Sequence, residues 1–124
     1  MDYSKTELLF VYNAKSGVMH TLMDFAHKMF SPETYPCSLC SLTYGNLGMK
    51  KVWADYVSAL PLGYRFLYKD HVSDSLEGLS EVELPVILNR LDNSYTVLVS
   101  ALELEQMTGL EELMHTLTLR MQAL

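Results

Sequence analysis

Basic residues are scarce in this chain. Lysine and arginine together number 9 against 15 aspartates and glutamates, which gives a formal net charge of −6. An acidic surface repels phosphate backbones and anionic headgroups, so neither nucleic acid nor a membrane surface is an expected partner. Long apolar runs are missing too. No stretch reaches the ~18 apolar residues that a membrane-spanning helix needs. The opening MDYSKTELLF carries an acid at position 2 and no long apolar core, so it lacks the form of a signal peptide. The expected compartment is the cytoplasm. Cysteine occurs only twice, as Cys37 and Cys40. In a reducing compartment such a pair is expected to be reduced, catalytic or metal-bound rather than a structural staple. Internal repeats, low-complexity tracts and linkers are absent. So is any Ser/His/Asp order or paired glutamate suited to acid–base catalysis. The NAKSG segment, residues 13–17, lacks the glycines and the Gly-Lys-Ser/Thr order of a phosphate loop. At most its backbone N–H groups and Lys15 suit a small anion.

What remains is a well-patterned globular chain. Its 124 residues are 49% hydrophobic and 19% charged, enough to bury one core in a single domain spanning 1–124. The eight methionines are spread over helix-like positions and are expected to fill that core. Residues 8–12, LLFVY, read as a buried strand. From Ser16, a good N-cap, the spacing becomes helical, with Val18, Leu22, Phe25 and Met29 on one stripe that Pro32 ends. Val52, Trp53, Tyr56, Val57 and Leu60 form a second helical stripe, and residues 64–69 read as a strand. Residues 70–83 are acidic and read as a solvated loop. LPVILNR and SYTVLVS, separated by LDN, predict a hairpin whose first strand is opened by Pro85. Thr108–Gly–Leu–Glu111 has the form of a capping box for a last helix, with Leu110, Leu113, Met114, Leu117 and Met121 on its apolar face. The expected architecture is α/β, a small mixed sheet sandwiched by helices. The tyrosines that fall on strands, Tyr12, Tyr64, Tyr68 and Tyr95, are expected to be half buried with their hydroxyls at the rim.

The stretch ELPVILNRLDNSYTVLVSALELEQMTGLEEL resembles the second half of the thioredoxin-like superfamily in order: a proline opening a strand, a returning hairpin, a terminal amphipathic helix. The LLFVYN strand and the helix after it suit the family's first βα unit. The resemblance covers about two-thirds of the chain and implies a thioredoxin-like fold with a cis proline at Pro85. It also implies a groove built by Asn13, Ser16 and Pro85. The family's Cys-x-x-Cys stands at the start of the first helix, where the helix N-terminus stabilises a thiolate. Here that place reads NAKSG. The cysteines come only after the first helix, which predicts that they lie at the far end of the sheet from Pro85. The YPCSLC and LTYG segments are also similar to those of small bacterial proteins, a resemblance that implies no activity.

Two geometries are open for the cysteines. If residues 36–44 form a straight strand, side chains three apart face opposite ways and cannot share a metal or a disulfide, which leaves two inert buried cysteines. If Pro36 starts a turn, the sulfurs converge. They then form a redox pair acting on a thiol substrate or protein partner, or half of a zinc site. His27, near the end of the first predicted helix, is the candidate third ligand, with His20, Asp24 or water as the fourth. A third reading is a protein-interaction module without chemistry, presenting the Asn13–Ser16–Pro85 groove.

Overall fold

The computed structural model describes residues 6–13, 38–45, 48–68, 82–92 and 94–124. The helix predicted over 16–30, with Ser16 and His27, lies outside them, as do Cys37 and nearly all of the acidic stretch 70–83.

The centre of the fold is β1, Thr6–Val11. Its residues Leu8 to Val11 are all fully buried, the signature of a strand covered on both faces. It pairs in parallel with β4, Gly63–Leu67, and antiparallel with β5, Val86–Leu91, which pairs antiparallel with β6, Ser94–Val99. The sheet order is β4-β1-β5-β6. The β5–β6 hairpin is the one expected, with Asp92 at φ 56 in its turn, a conformation that aspartate tolerates better than most residues. The Leu84–Pro85 peptide is cis, and β5 starts immediately after it. A second, two-stranded sheet joins β2, Tyr44–Gly45, to β3, Gly48–Met49, where the sequence showed only a break. Gly48 holds φ +93 there, a backbone conformation that side chains oppose.

Four helices appear among the described residues: α1, Ser38–Thr43; α2, Lys51–Ser58; α3, Ala101–Gln106; and α4, Leu110–Gln122. They bring Leu39, Cys40, Trp53, Val57, Leu104, Leu113, Leu117 and Met121 into one core with Leu8, Phe10, Tyr12 and Ile87 of the sheet. The opposite face gathers Leu9, Val11, Leu67, Val86 and Leu88, with Val82 and Leu84 against them. All four described helices therefore serve one face. On the other face Glu7 lies across the strand ladder from Arg90, and its Oε1 accepts from Nε of both Arg65 and Arg90 at 3.1 Å. This ties β4, β1 and β5 together. Among the described residues no helix is long and apolar enough to cross a membrane.

Several expectations need correction. Residues 38–43 are helical, so the straight strand considered over 36–44 does not form. On a helix Leu39, Cys40, Leu42 and Thr43 all reach the core, whereas strand alternation would have exposed half of them. The Ser41 and Thr43 hydroxyls donate back to the carbonyls of Ser38 and Leu39 at 2.9 and 2.8 Å. Packing thus overrides β propensity here. Val52 is 60% exposed and leaves the stripe of α2, whose buried members are Trp53 and Val57. The capping box proposed at Thr108 is out of register. The N-cap of α4 is Gly109, and the Thr108 N–H and hydroxyl donate to Glu112 Oε1 at 3.1 Å. The true box belongs to α3, a helix the sequence reading missed. Ser100 Oγ accepts from the Glu103 N–H at 3.2 Å, and the Ser100 N–H donates to Glu103 Oε1 at 3.0 Å.

Candidate functional site

The cysteine helix α1 sits over one end of the sheet. Cys40 is fully buried and disulfide-bonded. Four residues on, Tyr44 packs edge-on against Tyr12, with ring centroids 5.9 Å apart. Tyr12 follows β1 directly, and its N–H donates to the Leu67 carbonyl at 2.9 Å, as β1 and β4 end side by side. Beyond Tyr12 the chain reaches Asn13, half buried. In the β1–β5 ladder Val11 stands opposite Val86, so buried Pro85 lies beside Tyr12 at the same end. Alternation along β5 gives Pro85 the face of Ile87, the face on which Cys40 packs. The expectation that the cysteines lie at the far end of the sheet from Pro85 therefore fails for Cys40. α1 packs toward Tyr12, because Leu39, Cys40 and Leu42 gain burial there.

The core that holds Cys40 also holds a group of aromatic rings that the sequence did not single out. Tyr12 stacks on Tyr68 at 5.9 Å and on Phe66 at 6.0 Å. Phe10 meets Trp53 edge-on at 5.4 Å, and Trp53 stacks on Tyr56 at 5.8 Å. Such pairs contribute about 0.5–1.5 kcal/mol each beyond area burial. Tyr12 departs most from expectation. It is fully buried, hydroxyl included, with the Thr43 hydroxyl and the Trp53 indole beside it. Among the described residues neither Tyr12 Oη nor Trp53 Nε1 has a hydrogen-bond partner of good geometry. One signal was legible: Tyr12 ends an apolar run of five, and so was more buried than a rim tyrosine.

Burial shifts these phenols upward. Desolvation, then the neighbouring Tyr44, pushes the Tyr12 phenol far above its ordinary range. Desolvation, then Tyr68, raises Tyr44 to about 12. Desolvation also raises Tyr56 and Tyr68. Each is a group whose neutral form the fold favours. The stabilisation is complete below the unfolded value near 10 and is lost as pH rises through the folded values. An ultraviolet titration is expected to show a late phenolate fraction, with a Tyr44 step near pH 12 that Tyr44→Phe removes. A single wave near pH ~10 for all tyrosines would contradict this placement.

For metal chemistry, among the described residues no group of three or more His, Cys, Asp or Glu stands together. Cys40 as a disulfide has no thiolate to offer. The zinc set expected from the sequence, Cys37, Cys40 and His27, has only Cys40 within the described residues, and of the expected groove Ser16 lies outside them. Asn13 and Pro85 stand at one sheet end, Asn13 half buried and Pro85 buried. Compared with family models, curated proteins and solved structures, the chain matched none.

Proposed function

We propose that this chain is a cytoplasmic thiol protein of thioredoxin-like fold, in which Cys40 and Cys37 cycle between dithiol and disulfide. The observation that carries the reading is the disulfide state of Cys40 on the same sheet face and end as Pro85. The strand order, with β1 parallel to β4 and antiparallel to β5, supports the fold assignment. In each cycle a dithiol substrate loses two electrons and two protons and leaves as a disulfide, while the two cysteines gain them. Because Cys40 is buried, the incoming thiolate attacks the Cys37 sulfur. Cys40 leaves as thiolate, and a second substrate thiol then resolves the mixed disulfide. Asn13, half buried at that sheet end, would line the path of the substrate chain, with Pro85 beneath it. Equilibration in glutathione buffers, read by thiol trapping and mass, tests the idea. A single reversible transition in the folded protein, abolished by Cys37→Ser or Cys40→Ser, is expected. A disulfide that yields to reductant only after the chain unfolds would be a structural staple and would end the proposal.

A further inference from the structure

A second feature lies away from the cysteine helix. The start of α2 and the start of α4 enclose an open groove of about 740 Å³, within the range of small-ligand sites. Its charges are divided by wall. Lys50 and Lys51 line the α2 side, and α2 has no acidic residue in its first turn. Glu111 and Glu112 line the α4 side, in the first turn of that helix. Val52 adds an apolar side chain to the α2 wall, where it is 60% exposed, and Leu110 and Met114 add theirs to the α4 wall. A valine so exposed on an otherwise amphipathic helix gains nothing from the core. Lys51 Nζ is 3.3 Å from Asp55 Oδ2, but both side chains are largely exposed, at 89% and 67%, so that pair yields easily to a ligand. Glu112 accepts from the Thr108 N–H and hydroxyl, whereas Glu111 is exposed at the groove.

We propose that this groove binds a short peptide with free termini and apolar side chains. Its carboxylate meets Lys50 and Lys51, its ammonium meets Glu111, and its side chains rest on Val52, Leu110 and Met114. A zwitterion fits because a purely anionic or purely cationic ligand meets a wall of its own sign. This site does not depend on the dithiol reading, and cysteine variants should leave it unchanged.

The probe is the dipeptide Leu-Leu, titrated into the full chain and followed by methyl resonances in nuclear magnetic resonance. Saturable shifts at Val52, Leu110 and Met114 are expected. N-acetyl-Leu-Leu and Leu-Leu amide, each missing one terminal charge, should bind about fivefold more weakly, the size of an exposed charge pair. Lys50→Gln and Lys51→Gln together should erase the difference between Leu-Leu and its amide, and Glu111→Gln the difference between Leu-Leu and its acetyl form. These replacements are at the groove surface, and an otherwise unchanged spectrum shows that the fold is intact. No shifts up to millimolar Leu-Leu overturn the proposal. Equal binding of the blocked and free dipeptides overturns it too, because the groove would then be merely apolar.

Discussion

Replacing Trp53 with alanine lowers the stability of the folded chain by about 3–5 kcal/mol, the range for deleting a fully buried large aromatic. Trp53 is fully buried and is the largest such side chain among the described residues. It joins α2 to β1 through Phe10 and stacks on Tyr56. Tyr56 carries the link onward, because its hydroxyl donates to the Met114 carbonyl at 3.2 Å and shares a 2.7 Å hydrogen bond with Thr118. Losing the indole thus opens a cavity and removes ring contacts on both sides. Among the described residues no hydrogen bond of good geometry to Nε1 opposes the change. Urea unfolding followed by circular dichroism measures the loss, because Trp53 is the chain's only tryptophan and fluorescence vanishes with it. Val52→Ala, one residue earlier and 60% exposed, is the control and should change stability by no more than about 0.5 kcal/mol. Equal losses for the two variants would refute the packing described for α2.

The second large effect is expected at Arg120. Its guanidinium donates to both carboxylate oxygens of Glu103 and to the Leu98 carbonyl, the last at 2.7 Å. Glu103 also closes the capping box of α3. One side chain therefore holds the end of α4, the start of α3 and the β6 strand together. Arg120→Met keeps the apolar stem and removes the donors. The cost is about 1–3 kcal/mol, for charge-assisted bonds on a pair still partly open to water. The pH dependence separates this link from plain packing. The Arg120 hydrogen bond, chiefly, holds the Glu103 carboxyl down to about 2 against an ordinary 4.5. A depressed carboxyl contributes stability that is present above its unfolded value and lost as pH falls through the folded one. The wild-type melting temperature should accordingly fall between about pH 4.5 and 2 more than that of Arg120→Met. Parallel curves for the two proteins would show that the pair contributes nothing.

Most regular elements were legible in the chain. The β5–β6 hairpin, α2, β1 and the apolar face of α4 follow from residue spacing, because each buries one face at a period that the sequence displays. Errors gathered where two signals competed. Thr108 and Ser100 both open an S/T-x-x-E pattern, at Thr108–Glu111 and Ser100–Glu103, and only the second forms the reciprocal bonds. Reading SALE after the β6 strand would have found α3. Residues 38–43 carry β-prone side chains yet form a helix, because three of their apolar groups reach the core only at helical spacing.

Taken alone, the sequence determined the composition class, the acidic surface, the two-cysteine chemistry available and the strand–helix periodicity. These are local properties, carried by side-chain identity and by spacing of three or four residues. Tertiary structure decided what lies beside what. It brought Cys40 to the Pro85 end of the sheet and buried Tyr12 whole beneath Tyr44 and Tyr68. It also set Lys50 and Lys51 opposite Glu111 and Glu112 across a groove. Each of these juxtapositions joins residues more than twenty positions apart. No local pattern encodes them, because they follow from how separate apolar faces share one core.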